Sequence, residues 1–96
     1  MRKSKTLKIE EVIASFIREQ GLEDKMAENR LLNSWNDLLG KNVARVTREI
    51  YIRNSILYVH LESSVIRHEL MMIKQDMIRK LNESAGKEII TDIVLR

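Results

Sequence analysis

Residues 35–40 read Trp-Asn-Asp-Leu-Leu-Gly, in the middle of the apolar series Leu31, Leu32, Trp35, Leu38, Leu39, Val43 and Val46. The intervals are threes and fours, the spacing that lines one face of a helix with 3.6 residues per turn. The only tryptophan is therefore expected to anchor a core. A glycine inside a helix costs about 1 kcal/mol relative to alanine, so Gly40 marks either a kink or the close approach of another backbone. Because Val43 and Val46 keep the phase of the stripe, the helix is expected to run on past Gly40, starting near Glu28 to Arg30. Trp35, Leu39, Gly40 and Val43 are assigned to the core on this reading.

Beyond Val46 the period changes to two. Ile50 and Ile52 alternate with Glu49, Tyr51 and Arg53, and Leu57, Val59 and Leu61 alternate with Ile56, Tyr58 and His60. Two alternating runs separated by Arg53, Asn54 and Ser55 predict a hairpin, with Asn54 taking the positive φ that the turn demands. Its buried face holds Ile50, Ile52, Leu57, Val59 and Leu61. The other face, with Tyr51, Ile56, Tyr58 and His60, is unusually apolar for a surface in water. It is expected either to pair its tyrosines across the strands or to be covered by the first helix, a second subunit or a ligand.

On the N-terminal side, residues 1–6 read as a loose basic lead. Leu7, Ile9, Val12, Ile13, Phe16 and Ile17 predict a first helix with Thr6 as N-cap and Gly21 as its stop. Leu22 to Asn29 reads equally as loop or short helix. After the hairpin, Ser63 and Ser64 offer caps for a helix that turns Val65, Ile66, Leu70, Ile73, Met77, Leu81 and Ala85 inward and ends at Gly86. Met71, Met72 and Ile78 widen its apolar sector, fit either for filling the core or for meeting a partner. A last strand is expected over Ile89–Leu95.

The order is helix, helix, strand, strand, helix, strand. A helix between the second and third strands must cross over the sheet, which makes the third strand parallel to one member of the hairpin. The expectation is one two-layer α+β domain over 7–96, with a three-stranded mixed sheet and helices on one face.

Composition narrows the chemistry. The chain has 96 residues, 44% of them hydrophobic, and no cysteine, which excludes disulfides, thiolate metal sites and a cysteine nucleophile. His60 and His68 are the only histidines, and neither stands in a metal-binding spacing. Gly21, Gly40 and Gly86 are isolated, so no phosphate-binding loop is present. No catalytic residue, cofactor or metal is assigned, and a binding role without enzymatic activity is expected. No apolar run approaches the length of a membrane helix, which makes a cytoplasmic protein the expectation.

The net charge of +3 lies wholly in the first half, where residues 1–48 carry ten Lys/Arg against seven Asp/Glu; residues 49–96 carry seven of each. Arg2, Lys3 and Lys5 in the lead, with Lys41, Arg45 and Arg48 at intervals of four and three and Arg53 in the hairpin turn, form a candidate phosphate-contacting strip. An ordinary solvated face accounts for the same charges. Tyr51, Ile56, Tyr58, Met71 and Met72 are the candidate protein-contacting residues, and Leu57, Val59, Leu70 and Leu81 complete the expected core.

Trp35, Leu38, Leu39 and Gly40, the alternating runs Ile50–Ile52 and Ile56–Leu61, then Ser63 and Ser64, Glu69 and Leu70, and Leu81 with Asn82, follow in an order that resembles the DciA-like family of bacteria. The resemblance covers about residues 7–96. It implies a KH-like domain associated with loading or operating the replicative DNA helicase, with DNA, single-stranded or duplex, and that helicase as partners. Val65 stands where the family often has a second tryptophan, and the chain lacks the G-x-x-G loop of true KH domains. It ends at Arg96 without the long flexible extension many relatives carry, so a helicase-binding function lodged there is expected to be absent. Two further classes fit the residues: a protein–protein or homodimerising module, and an RNA-binding one.

Overall fold

The computed structural model describes the backbone of residues 2–96 and the side chains of residues 8–96. Its elements are α1 (Arg2–Glu19), α2 (Glu23–Leu39), α3 (Lys41–Val46), β1 (Thr47–Arg53), β2 (Ile56–Leu61), α4 (Ser64–Met72), α5 (Lys74–Ala85) and β3 (Asp92–Leu95). The sheet order is β1-β2-β3, with β1 and β2 antiparallel and β2 and β3 parallel. This is the expected mixed α+β architecture, with each of the two later helices broken into two.

Both breaks have local causes. Gly40 adopts φ 90° and ψ 172°, a region essentially closed to side-chain-bearing residues. The helix therefore does not continue past it, and α3 leaves in a new direction. A Cβ at Gly40 would meet nothing within 4 Å; the glycine serves its own backbone, not a close neighbour, and does not belong to the core. At Ile73, φ −115° and ψ 23° end α4 and restart the chain as α5. That resets the helical phase, so Val65 and Ile73, expected inward, are exposed, whereas Leu70, Met77, Leu81 and Ala85 are buried.

The hairpin register is Ile50↔Val59, Tyr51↔Tyr58, Ile52↔Leu57 and Arg53↔Ile56. Its turn is thus two residues long, and Arg53 belongs to the strand. Asn54 and Ser55 both have positive φ, 52° and 63°, the signature of the type I′ turn whose twist matches that of the strands. β1 starts at Thr47, and a register shift between Thr47 and Glu49 leaves Arg48 as the extra residue of a bulge.

Leu57, Val59, Leu61 and Ile93 from the sheet meet Ala27, Leu31 and Trp35 of α2 and Met77, Leu81 and Ala85 of α5 in one buried cluster. Leu39, Val43, Ile50 and Ile52 pack half-buried against it. The segment left ambiguous from Leu22 to Asn29 is helical from Glu23 onward, because Ala27 is needed in this core. Trp35 is buried, and its indole Nε1–H donates to Thr47 Oγ1 at 3.0 Å, while that hydroxyl donates to the Val43 carbonyl at 2.7 Å. One hydroxyl thereby joins α2, α3 and β1.

The run Ile89–Leu95 is a strand only from Asp92. Ile89 and Ile90 are buried but lie in the preceding loop, where Asn82 of α5 holds them. The Asn82 amide accepts from Ile89 N at 2.9 Å and Ile90 N at 3.0 Å and donates to the Ile90 carbonyl at 2.9 Å. Arg30 closes the other end of this segment with two hydrogen bonds, 3.0 and 2.7 Å, to the Ala85 carbonyl at the end of α5.

α1 differs from the expectation at its start. It is helical from Arg2, so residues 2–6 of the segment read as a loose lead belong to the helix, and Thr6 lies inside it instead of at its start. The helix ends before Gly21, whose φ is 67°. α1 makes no extensive contact with another element, and the molecule measures 58 × 26 × 21 Å with a radius of gyration of 16.7 Å. A compact chain of this length has a radius near 12–13 Å, and the excess reflects a helix that stands away from the body.

Candidate nucleic-acid interface

The residues of the strip read from the sequence are divided among three elements, α1, α3 and β1. Lys41 and Arg45, four apart on α3, project from the same side and are exposed, with no carboxylate partner among the described ion pairs. Arg48 occupies the bulge of β1, and its guanidinium is paired with Glu62, which removes it from the unneutralised charges. Arg53 lies six residues along from the first residue of β1, at the turn end of the strand. Arg2, Lys3 and Lys5 have side chains outside the described residues.

The structure gathers a different group on the open face of the sheet. Strand alternation puts Tyr51 and Tyr58 opposite each other on the face away from the core, and their rings stack with centroids 5.1 Å apart and planes within 12°. Both rings are half-buried, as is Ile56 at the end of the hairpin. The Arg53 guanidinium lies 5.9 Å from the Tyr51 ring centroid. The Arg96 guanidinium lies 5.3 Å from that of Tyr58, and Arg96 Nη2 donates to Tyr51 Oη at 2.8 Å. Cation–π contacts of this exposed kind contribute about 0.5–1 kcal/mol.

Arg96 had no place in the sequence reading. Its position follows from the parallel register, Tyr58↔Val94 and Val59↔Leu95. The ladder is carried beyond β3 by Arg96 N donating to the Val59 carbonyl at 2.9 Å and Leu61 N donating to the Arg96 carbonyl at 2.7 Å. The only signal in the sequence was the alternation Asp92, Val94, Arg96, and it needed the register to become informative. Arg53 and Arg96 lack carboxylate partners among the described residues, whereas Lys74, Arg79 and Lys87 are ion-paired to Asp92, to Asp76 and Glu83, and to Asp24.

Lys74 Nζ reaches Asp92 Oδ1 at 3.0 Å and the Ile93 carbonyl at 3.3 Å. The hydrogen bond from Lys74, together with one from the Ile93 amide, holds the Asp92 carboxyl below the usual carboxylate range. The Asp24 carboxylate, by hydrogen bond and by charge, holds the Lys87 ammonium above its usual range.

The other candidate residues sit elsewhere. Met71 and Met72, at 60% and 70% exposure, form the end of α4 and share its surface with exposed Val65. His60 and His68 are exposed. Among the described residues no three His, Cys, Asp or Glu side chains gather into a metal site, and no helix is long and apolar enough to cross a membrane.

This arrangement belongs to a chain with recognisable relatives. A protein named UPF0232 protein from Corynebacterium glutamicum (strain R) is 24% identical to it over 82 residues, which is 85% of this chain and 46% of the relative. The chain thus spans about half the length of that curated relative. The family model described as "Dna[CI] antecedent, DciA" matches residues 8–95, nearly the whole chain. On that match, the chain belongs to the DciA family.

Proposed function

We propose that the chain is a non-enzymatic accessory of DNA replication that contacts DNA and the replicative helicase. The observation that carries the DNA half of this reading is the cluster on the open sheet face, where Arg53 and Arg96 flank the stacked Tyr51 and Tyr58 without a carboxylate to neutralise them. Each ring has one face against the other tyrosine and a guanidinium over its remaining face, so the surface offered to nucleic acid is the two guanidiniums, whose planes can stack on unpaired bases and whose N–H groups can take phosphates. Lys41 and Arg45 on α3 supply a second pair of phosphate-binding cations. Three or four such groups correspond to micromolar-class binding that weakens with salt. Membership in the DciA family supports the helicase half, and the exposed Val65, Met71 and Met72 of α4 form the protein-contacting side.

The test is fluorescence anisotropy with labelled single-stranded and duplex DNA at low and high salt. The wild type is compared with a variant carrying Arg53→Ala and Arg96→Ala and another carrying Lys41→Ala and Arg45→Ala. Affinity is expected to fall with salt in the wild type, and the slope of log K against log salt to shrink by about one for each phosphate-binding cation removed. Binding indifferent to all four substitutions refutes the assigned surface, and absence of binding at low salt refutes the DNA reading. It would favour the protein-interaction alternative, for which exposure of Met71 and Met72 is the supporting observation.

A further inference from the structure

α1 carries an apolar stripe that nothing in the described chain covers. Ile9, Val12, Ile13 and Phe16 recur at i, i+3, i+4 and i+7 and remain 54–63% exposed, although the remaining large apolar residues of α2, β2 and β3 are mostly withdrawn. An isolated helix of this length is marginal in water, and its order normally comes from packing its apolar face. The helix stands clear of the body, so that face is open to approach along its length.

The order of the stripe identifies what fits it. Ile9, Val12, Ile13 and Phe16 are symmetric about a point between Val12 and Ile13. A second α1 laid antiparallel across a two-fold axis at that point sets Ile9 against Phe16 and Val12 against Ile13, as a self-complementary two-fold interface requires. The flanking charges agree. Lys8 and Glu19 stand three turns apart along the same side of the stripe, where they border one shallow groove with Val12, Ser15 and Phe16. Antiparallel pairing brings each Lys8 to the end of the partner helix that carries Glu19; parallel pairing leaves Lys8 and Glu19 at opposite ends, with no such contact.

We propose that α1 pairs antiparallel with α1 of a second copy of this chain, independently of the DNA reading. The four side chains can bury at most roughly 800 Å² over both copies, less than the roughly 1,200 Å² at which stable specific interfaces begin, which makes the dimer weak, reversible and dependent on concentration.

Sedimentation of the whole chain over a wide concentration range is expected to show a monomer–dimer equilibrium, and Ile13→Glu to abolish the dimer. Because Ile13 is exposed, the near-ultraviolet signal of buried Trp35 should stay unchanged in that variant. Lys8→Glu is expected to weaken the dimer and Lys8→Glu with Glu19→Lys to restore it. The absence of cysteine allows the direction to be read. Ile9→Cys should form a disulfide with a Phe16→Cys chain and not with itself, since two copies of residue 9 lie about 10 Å apart along antiparallel axes, beyond disulfide reach. A chain that stays monomeric at all concentrations, a dimer untouched by Ile13→Glu, or self-linking of Ile9→Cys each overturns the proposal.

Discussion

Thr47→Val tests how far the core depends on one hydroxyl. The side chain is nearly the same size, so packing changes little, but the acceptor for the Trp35 indole and the donor to the Val43 carbonyl vanish together. A buried N–H left without a partner costs about 1–3 kcal/mol. The Val43 carbonyl, at the end of the short α3 and half-buried, adds a smaller amount because water can replace part of its bond. The sum is about 2–3 kcal/mol, a sizeable share of the roughly 5–15 kcal/mol that stabilises a domain of this size. It corresponds to a midpoint lower by about 10–20 °C. Urea and thermal unfolding followed by Trp35 fluorescence measure it directly. Thr47→Ser keeps the hydroxyl and should lose less than about 1 kcal/mol. If Thr47→Val unfolds within about 0.5 kcal/mol of the wild type, or Thr47→Ser is equally damaging, the bridging role assigned to this hydroxyl is wrong.

Three further outcomes follow from backbone and charge. Ser55 holds φ 63° in a two-residue turn, so Ser55→Gly should raise stability by about 0.5–1 kcal/mol in urea titrations, and a loss would contradict the type I′ assignment. Gly40→Ala should cost about 1–3 kcal/mol although a Cβ there has free space, because the cost is conformational. The Asp92 carboxyl is held low in the folded state, so its contribution is fully present above about pH 4 and fades as pH falls through the folded value. With both side chains substantially exposed it is worth less than about 1 kcal/mol; Asp92→Asn should flatten the acid limb of the stability curve, and an unchanged limb would remove Lys74–Asp92 as its source.

Periodic burial was legible before the structure was known. Leu31 and Trp35 kept one phase through a long helix, and Ile50, Ile52, Leu57 and Val59 alternated cleanly, so the core face and the hairpin followed. The breaks were not legible in the same way. Val43 and Val46, beyond Gly40, keep the phase of Trp35 and Leu39 before it, and Val65 and Ile73 hold the spacing of an unbroken helix, so periodicity carried straight across turns that backbone dihedral angles interrupt. The spacing argument for the basic strip met the same break, since Lys41 and Arg45 lie on α3 and Arg48 on β1, paired with Glu62. Arg96 was missed because parallel pairing joins residues distant in the chain, and its register has no local signature. Asn82 was noticed only as part of the family pattern; its role depends on a loop whose path the sequence does not specify.

That loop sets the order in which the sheet can assemble and come apart. β1 and β2 are joined by two residues and can zip as soon as both exist, whereas β3 meets β2 only after the whole crossover from Glu62 to Thr91 has been closed, with the entropy of a long loop set against four residues of pairing. The three hydrogen bonds of the Asn82 amide fold the end of that crossover back on α5 and shorten the effective loop. In amide exchange, β3 is therefore the strand expected to open first, drawing Arg96 away from the sheet-face cluster while the hairpin stays protected. The face that carries Tyr51 and Tyr58 is permanent; its second guanidinium is attached to the least durable part of the sheet.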